Sequence, residues 1–273
     1  MGNESFTNET RRTAEHVHEI SWNPGSDLDL SSYPVFDAII NLSGAGVGNK
    51  RWSDSYKTEI LQSRLAATDT LVSAIARLET KPAVLLNASA IGIYGDRADE
   101  DLTESSPRGS GFLADVVEQW EQHAMRAEEF GTSVTCLRTG LVISRHGGAF
   151  GKILPIFKFG LGGPLGSGKQ FWSFISMTDE VRAIEYLLHA KLSGPVNLTS
   201  PQPLRNRDVT KILASFLGRP ALLPVPSVAL KIALGEFSSD ILASSKVLPD
   251  RLTRAGFVFS HTNLSSALKA ELG

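Results

Sequence analysis

The sequence predicts an α/β protein whose core is a parallel sheet, and three observations carry that prediction. Short apolar runs at Phe36–Leu42, Ala83–Ala88 and Val134–Arg138 alternate with longer amphipathic stretches, the pattern of β-α-β units. Glycine or serine follows each run within two residues, as it does where a strand empties into a ligand loop. Right-handed crossovers then bring Gly44–Gly48, Ser89–Tyr94 and Arg138–Val142 to one edge of the sheet, where such folds bind ligands.

The elements follow in order. Residues 1–15 are polar and carry no predicted element, and His16–Trp22 alternates weakly, like an edge strand. Asn23–Ser32 is a loop through Pro24-Gly25, and Phe36–Leu42 reads as a buried strand. Ser53 caps a helix whose stripe of Leu61, Leu65, Val72 and Ile75 runs to about residue 79. Ala83–Ala88 is a second buried strand; after an acidic loop, residues 112–130 read as helix and Val134–Arg138 as the next strand. From Gly147 the texture changes to glycine-rich loops with Pro155 and Pro164. A helix at Asp179–His189, a strand at Val196–Leu198, a helix near Asn206–Leu217 and a proline-punctuated tail complete the chain. The reading is a main sheet domain over residues 10–146 and a smaller lid over 147–273, some of whose segments return to the sheet.

Composition narrows the function. At about 150 residues per domain, 273 residues make one large domain with an appendage. The 27 Lys and Arg against 29 Asp and Glu give a formal charge of −2, which speaks against nucleic acid or an anionic membrane as the main partner. The lone Cys136 excludes an internal disulfide and a cysteine metal site. No apolar run reaches the roughly 18–20 residues of a membrane span, and the polar start has no signal-peptide core. A cytoplasmic enzyme or binding protein for a small molecule, monomeric or homodimeric, is the expectation.

Several motifs invite stronger readings than they support. Gly163–Lys169 fits the opening of a phosphate-binding loop, but Gln170 stands where a hydroxyl must reach magnesium. Gly44-Ala-Gly46-Val-Gly48 has Asn49 where a dinucleotide fingerprint needs glycine. The six histidines include no metal-binding spacing, so no metal site is expected. Ser89 lacks the flanking glycines of a hydrolase elbow; it is either a capping hydroxyl or a group facing the cleft. Arg138, ending a buried strand, is either half of an ion pair or a cofactor contact.

One series of residues is more specific together than apart. Asn41-Leu-Ser-Gly44, Gln62-Ser-Arg64 with Thr68, Ser89-Ala with Tyr94-Gly-Asp96, and Trp120-Glu121 resemble the extended short-chain dehydrogenase/reductases. With Leu137–Val142, Gly148–Pro155, Gly160–Gly168 and Gln170, the chain is similar to their atypical epimerase-family branch, labelled nucleoside-diphosphate-sugar-epimerase-like. The tail from Pro224 through Phe257 resembles that branch's C-terminal segment. The resemblance implies a Rossmann-type doubly wound sheet binding NADP(H), with a small C-terminal α/β substrate lid.

Three departures qualify it. The family's first strand, glycine turn and helix have no counterpart, because the match begins near Thr10-Arg11-Arg12. An incomplete start, a gap filled by another chain and a lost site are the three accounts. The first is expected, since a parallel sheet without its central strand leaves two unpaired edges. The reductase Tyr-x-x-x-Lys is replaced by Phe112-Leu-Ala-Asp-Val116, which cannot pass a proton as a phenol beside an ammonium does. Phe174-Ile175-Ser176 stands where family members often carry Trp-Ile-His.

The resemblance assigns roles residue by residue. Arg11 and Arg12 would pair with the 2′-phosphate, and Leu42, Ser43, Gly44, Arg64, Ser89, Arg138, Gly140 and Val142 would line the cofactor. Ser89 and Tyr94 would be the catalytic hydroxyls, and Lys152, Gln170 and Trp172 would meet the substrate. The substrate is an unspecified carbonyl, hydroxyl or nucleotide sugar. The alternative is a non-catalytic nucleotide-binding or regulatory protein on the same scaffold, in keeping with a cell-division label carried by some members.

Overall fold

The computed structural model describes residues 10–14, 17–221 and 223–273, with side chains from Val17 onward except that of His18. Strands β1 (Thr10–Ala14) and β2 (Val17–Ile20) form an antiparallel hairpin. Arg11 and Arg12 therefore lie on a strand, while their side chains are outside the described residues. There follow β3 (Ala38–Asn41), α1 (Asp54–Arg77), β4 (Val84–Ala90), the short β5 (Asp101–Leu102), α2 (Phe112–Met125) and β6 (Ser133–Thr139). Next come β7 (Leu141–Ile143), α3 (Gly148–Lys158), β8 (Phe171–Trp172), β9 (Phe174–Ser176), α4 (Met177–His189) and β10 (Gly194–Leu198). The chain ends with β11 (Leu204–Arg205), α5 (Asn206–Leu217), α6 (Ser227–Leu234), α7 (Ser238–Leu242), β12 (Lys246–Val247), α8 (Asp250–Arg254) and α9 (Leu264–Leu272).

The main sheet has the order β10-β6-β4-β3 with every pair parallel, so the carboxyl ends of β3, β4 and β6 share one edge. Leu85 and Val134 face α1 and α2, packing on Val72, Ile75 and Ala124. Leu86, Leu137, Val196 and Leu198 face the other way, onto Ala183 and Leu187 of α4 and onto Leu252 and Phe257. Helices on both faces explain why the strands read as unbroken apolar runs rather than alternating ones. Cys136 is buried in the first layer, and burial pushes its thiol pKa up, away from reactivity.

Helix α1 starts where the capping signal places it, with the Tyr56 amide donating to Ser53 Oγ at 3.2 Å. Three elements depart from the sequence prediction, the first being β1, a strand formed by pairing with β2 where none was expected. Strand β3 is not the buried strand expected: Ile40 is 44% exposed, because no described strand pairs with its outer edge. Helix α3 occupies part of the expected glycine-rich loop region and contains Pro155. It forms because Phe150, Leu154 and Phe157 fall on one face and are buried in a second core with Val209, Leu213, Leu264 and Leu268. The tail reaches back to the main domain, where β12 pairs with β5. Among the described residues no helix is long and apolar enough to cross a membrane.

Candidate functional site

The loop leaving β3 is held from beneath. Asn41 donates to Asn87 Oδ1 at 2.7 Å and to Thr68 Oγ1 at 3.2 Å, and Trp120 Nε1 donates to the same hydroxyl at 3.0 Å. The other end of the Asn41 amide accepts from the Ser43 amide, which turns the chain out of the strand. Ser63 Oγ then accepts from the Ala45 amide, and Arg64 donates to the carbonyls of Ala45 and Ile60, both at 2.9 Å. The Arg64 guanidinium lies over the Trp120 ring, and burial lowers its pKa. Gly44, at φ +153°, would need its β-carbon 3.1 Å from Arg64 Cγ, so glycine lets the loop approach the arginine. Leu42 is left 64% exposed at this edge, with Ser43 half-buried beside it. Arg64 and Gly44 are thus brought together, the arginine shaping the loop.

Ser89 and Arg138 are also brought together, through a residue the sequence reading did not place in the site. Glu121 on α2 accepts from Arg138 Nε and Nη2, both at 2.8 Å, and from Ser89 Oγ at 2.6 Å. Arg138 also donates to the Tyr94 hydroxyl at 3.0 Å, which donates in turn to Asn197 Oδ1 at 2.8 Å. The Asn197 amide donates to the buried carboxylate of Glu104. Tyr94 has no exposed surface, and burial raises its phenol pKa despite the neighbouring guanidinium. Burial opposes the charge of Arg138, but the bonds and charge of Glu121 hold its pKa above the ordinary value. A cavity of about 530 Å³ lies against this network, lined by Ile93, Arg108, Glu118, Gln122 and Met125 beside Glu121 and Arg138.

Phe112 and Val116, which the resemblance sets against the reductase phenol and ammonium, are apolar. They pack with Trp52, Tyr56 and Ile60, and Phe237 lies 5.2 Å from Trp52 between ring centroids. An ion pair from Lys57 to Glu236 at 2.9 Å and a hydrogen bond from Arg51 to the Ile232 carbonyl at 3.0 Å hold this segment there. Lys152 donates to the Gly48 carbonyl and to Asn49 Oδ1, so α3 meets the glycine loop.

The remaining expected residues are more dispersed. Gly140 is forced to be glycine, since a β-carbon would lie 2.7 Å from the Ser173 carbonyl oxygen. Val142 is half-buried on β7, which pairs with β9. Gln170 is buried, donates to the Leu165 carbonyl at 3.0 Å and lines a second cavity of about 690 Å³. That cavity lies between Asp96, Ala98 and Asp99 on one side and Gly166, Pro224 and Leu242 on the other. Trp172 is half-buried and points its indole NH at the Ile241 carbonyl, 3.4 Å away. Ser176 caps α4 and sits 3.0 Å from His261 Nδ1. The sequence held one signal for Glu121: a buried strand-end arginine needs a carboxylate, and the helix packed over it supplies one.

A four-stranded parallel sheet with helices on both faces, with a glycine loop at its carboxyl edge, defines a Rossmann-like α/β protein. Residues 3–198 match the NAD dependent epimerase/dehydratase family, and the chain belongs to it; residues 225–271 match a domain of unknown function. An epimerase family protein of Mycobacterium leprae is 39% identical over 261 residues, covering 94% of this chain and 84% of that one. A chloroplastic relative from Arabidopsis thaliana, an SDR39U1 homolog, is 39% identical over 236 residues, 85% of this chain and 67% of its own. The crystal structure of the human epimerase family protein SDR39U1 with NADPH superposes with a TM-score of 0.83 at 31% identity, over 89% of this chain and 83% of that one.

Proposed function

We propose that the chain binds NADP(H) along the carboxyl edge of its sheet. There it would act as an oxidoreductase or epimerase-like protein on a small carbonyl, hydroxyl or nucleotide-sugar substrate. The observation that carries the reading is the close likeness to a human relative solved with NADPH. The residues fit part of such a ligand. An exposed glycine loop is pinned by Arg64 at the carboxyl end of β3. Helices α1 and α2 start at Ser53 and Gly111 after intervening loops, so no described strand of the main sheet runs through a glycine turn straight into a helix, the usual pyrophosphate contact.

The cofactor supplies the hydride when bound; the chain supplies position. In this reading Arg64 fixes the loop from Leu42 through Ala45, and Arg11 and Arg12 on β1 pair with the 2′-phosphate. Ser89 and Tyr94 act from beneath, holding Glu121 and Arg138 in register at the end of β6. Lys152 brings a charge to the glycine loop, and Gln170 lines the cavity offered to the substrate.

A second reading, a nucleotide-binding or regulatory protein without turnover, is favoured by the Trp52, Phe112, Val116 and Phe237 cluster. Phe112 and Val116 stand where the resemblance sets the proton-passing pair, and neither can titrate. The test is direct binding of NADPH followed by its oxidation with a panel of carbonyls and nucleotide sugars. Binding with substrate-dependent oxidation supports the first reading, and binding without oxidation across the panel supports the second. Failure to bind NADPH overturns the first reading and leaves of the second only a regulatory protein without cofactor.

A further inference from the structure

The net charge of −2 conceals a strong segregation. Residues 145–178 carry four Lys or Arg and residues 209–235 carry three, with no Asp or Glu in either stretch. These two stretches pack on each other in the lid. A β-carbon on Gly160 would touch the Pro220 ring at 3.7 Å, and one on Gly163 would collide with the Leu223 carbonyl oxygen. Backbone hydrogen bonds of 2.8 Å join Val225 to Pro164 and Gly166 to Val225. The turn after α3 and the turn before α6 therefore form one surface.

That surface displays large apolar side chains. Phe159 is 80% exposed, Leu161 73% and Leu223 81%, so they project from the turns rather than line a groove. None of the three lines either cavity described above. Lys158 and Arg219 flank them in sequence and have no carboxylate partner among the described residues. Projecting aromatic and aliphatic tips set among unpaired cations match the chemistry of an anionic bilayer surface: the tips enter the acyl boundary and the cations meet the headgroups. A protein partner would more readily use a flat or concave apolar patch with a mixed polar rim.

We propose that this face of the lid, centred on Phe159, Leu161 and Leu223, docks the protein peripherally on anionic lipid. The proposal is independent of what the cleft binds. The experiment is co-sedimentation of the full chain with phosphatidylcholine vesicles, with and without phosphatidylglycerol, at low and high salt. The expected result is binding that requires phosphatidylglycerol and falls with salt. The variant Phe159→Ser/Leu161→Ser/Leu223→Ser should lose about tenfold or more in bound fraction, and Lys158→Glu/Arg219→Glu several-fold. Both variants alter exposed positions and should keep the wild-type melting temperature, which is measured alongside. Equal binding to neutral and anionic vesicles, or wild-type binding by the triple variant, would overturn the proposal. So would retention on immobilised polyglutamate with no binding to vesicles, the pattern of an acidic protein partner.

Discussion

Glu121 and Arg138 face each other across the junction of α2 and β6 in a two-point ion pair, both contacts 2.8 Å. Their side chains are 14% and 9% exposed, and Ser89 and Tyr94 spend their hydroxyls on the same pair. The two hydroxyls that sequence reasoning assigns to catalysis are thus tied into the framework beneath the cleft.

Breaking that pair from one side should be costly. Glu121→Ala leaves a buried guanidinium without its carboxylate, and the expected loss is about 3–5 kcal/mol in urea denaturation. The double variant Glu121→Leu/Arg138→Met should lose less than the single one, because no charge is stranded. A single variant within about 0.5 kcal/mol of wild type would show that water already screens the pair.

Glu180 gives the fold a pH dependence. Its carboxyl is buried, accepts one bond from Thr139 Oγ1 at 2.7 Å and has an unpartnered second oxygen. Burial raises its pKa from 4.5 to about 7, so the folded state holds the proton more tightly than the unfolded chain. The resulting stability is complete below about pH 4.5 and is lost as pH rises to about 7, by at most about 3 kcal/mol. Glu180→Gln should therefore be more stable than wild type at pH 8 and flatter across that window. Chemical denaturation at several pH values measures both, and parallel curves for the two proteins would contradict the account.

The glycine loop depends on Arg64. Arg64→Ala removes two carbonyl contacts and the stacking on Trp120. A loss of about 1–2 kcal/mol in loop order should raise the Kd for NADPH about tenfold. Arg64→Lys should recover only part of this, since an ammonium can donate to the carbonyls but lacks the guanidinium that lies over Trp120. Fluorescence titration reads the difference, and an unchanged Kd for Arg64→Ala would remove the loop from the site.

Cofactor choice is assigned to β1. Arg11→Ala should weaken NADPH more than NADH, because only the former carries the 2′-phosphate that a guanidinium pairs with. Equal losses in parallel titrations would take that role from Arg11.

Local signals made α1 legible in the sequence: the Ser53 cap and the stripe through Ile75 both come from neighbouring residues. Helix α3 was hidden because Pro155 and its glycines argue against a helix, while the burial that overrides them comes from α5 and α9. The exposure of β3 depends on what pairs with its outer edge, which the apolar run Phe36–Leu42 cannot report. Within the site, the loop at Gly44 and the strand ends were legible from glycine and crossover rules. The inward turn of Tyr94 was not, because a short 3₁₀ turn at Ile91–Tyr94 sets its direction and Asn197, far along the chain, fixes it. Closure of Phe237 on Trp52 is non-local in the same way.

The central claim is that this chain binds NADP(H), and a thermal-shift titration with NADPH and NADH in parallel tests it most directly. Ligand at a hundredfold excess over Kd adds about 2.7 kcal/mol, which for a chain of this size raises the melting temperature by about 5–10 °C. A cooperative transition raised in that range by NADPH and less by NADH is the expected result. A cooperative transition that neither nucleotide moves would contradict it.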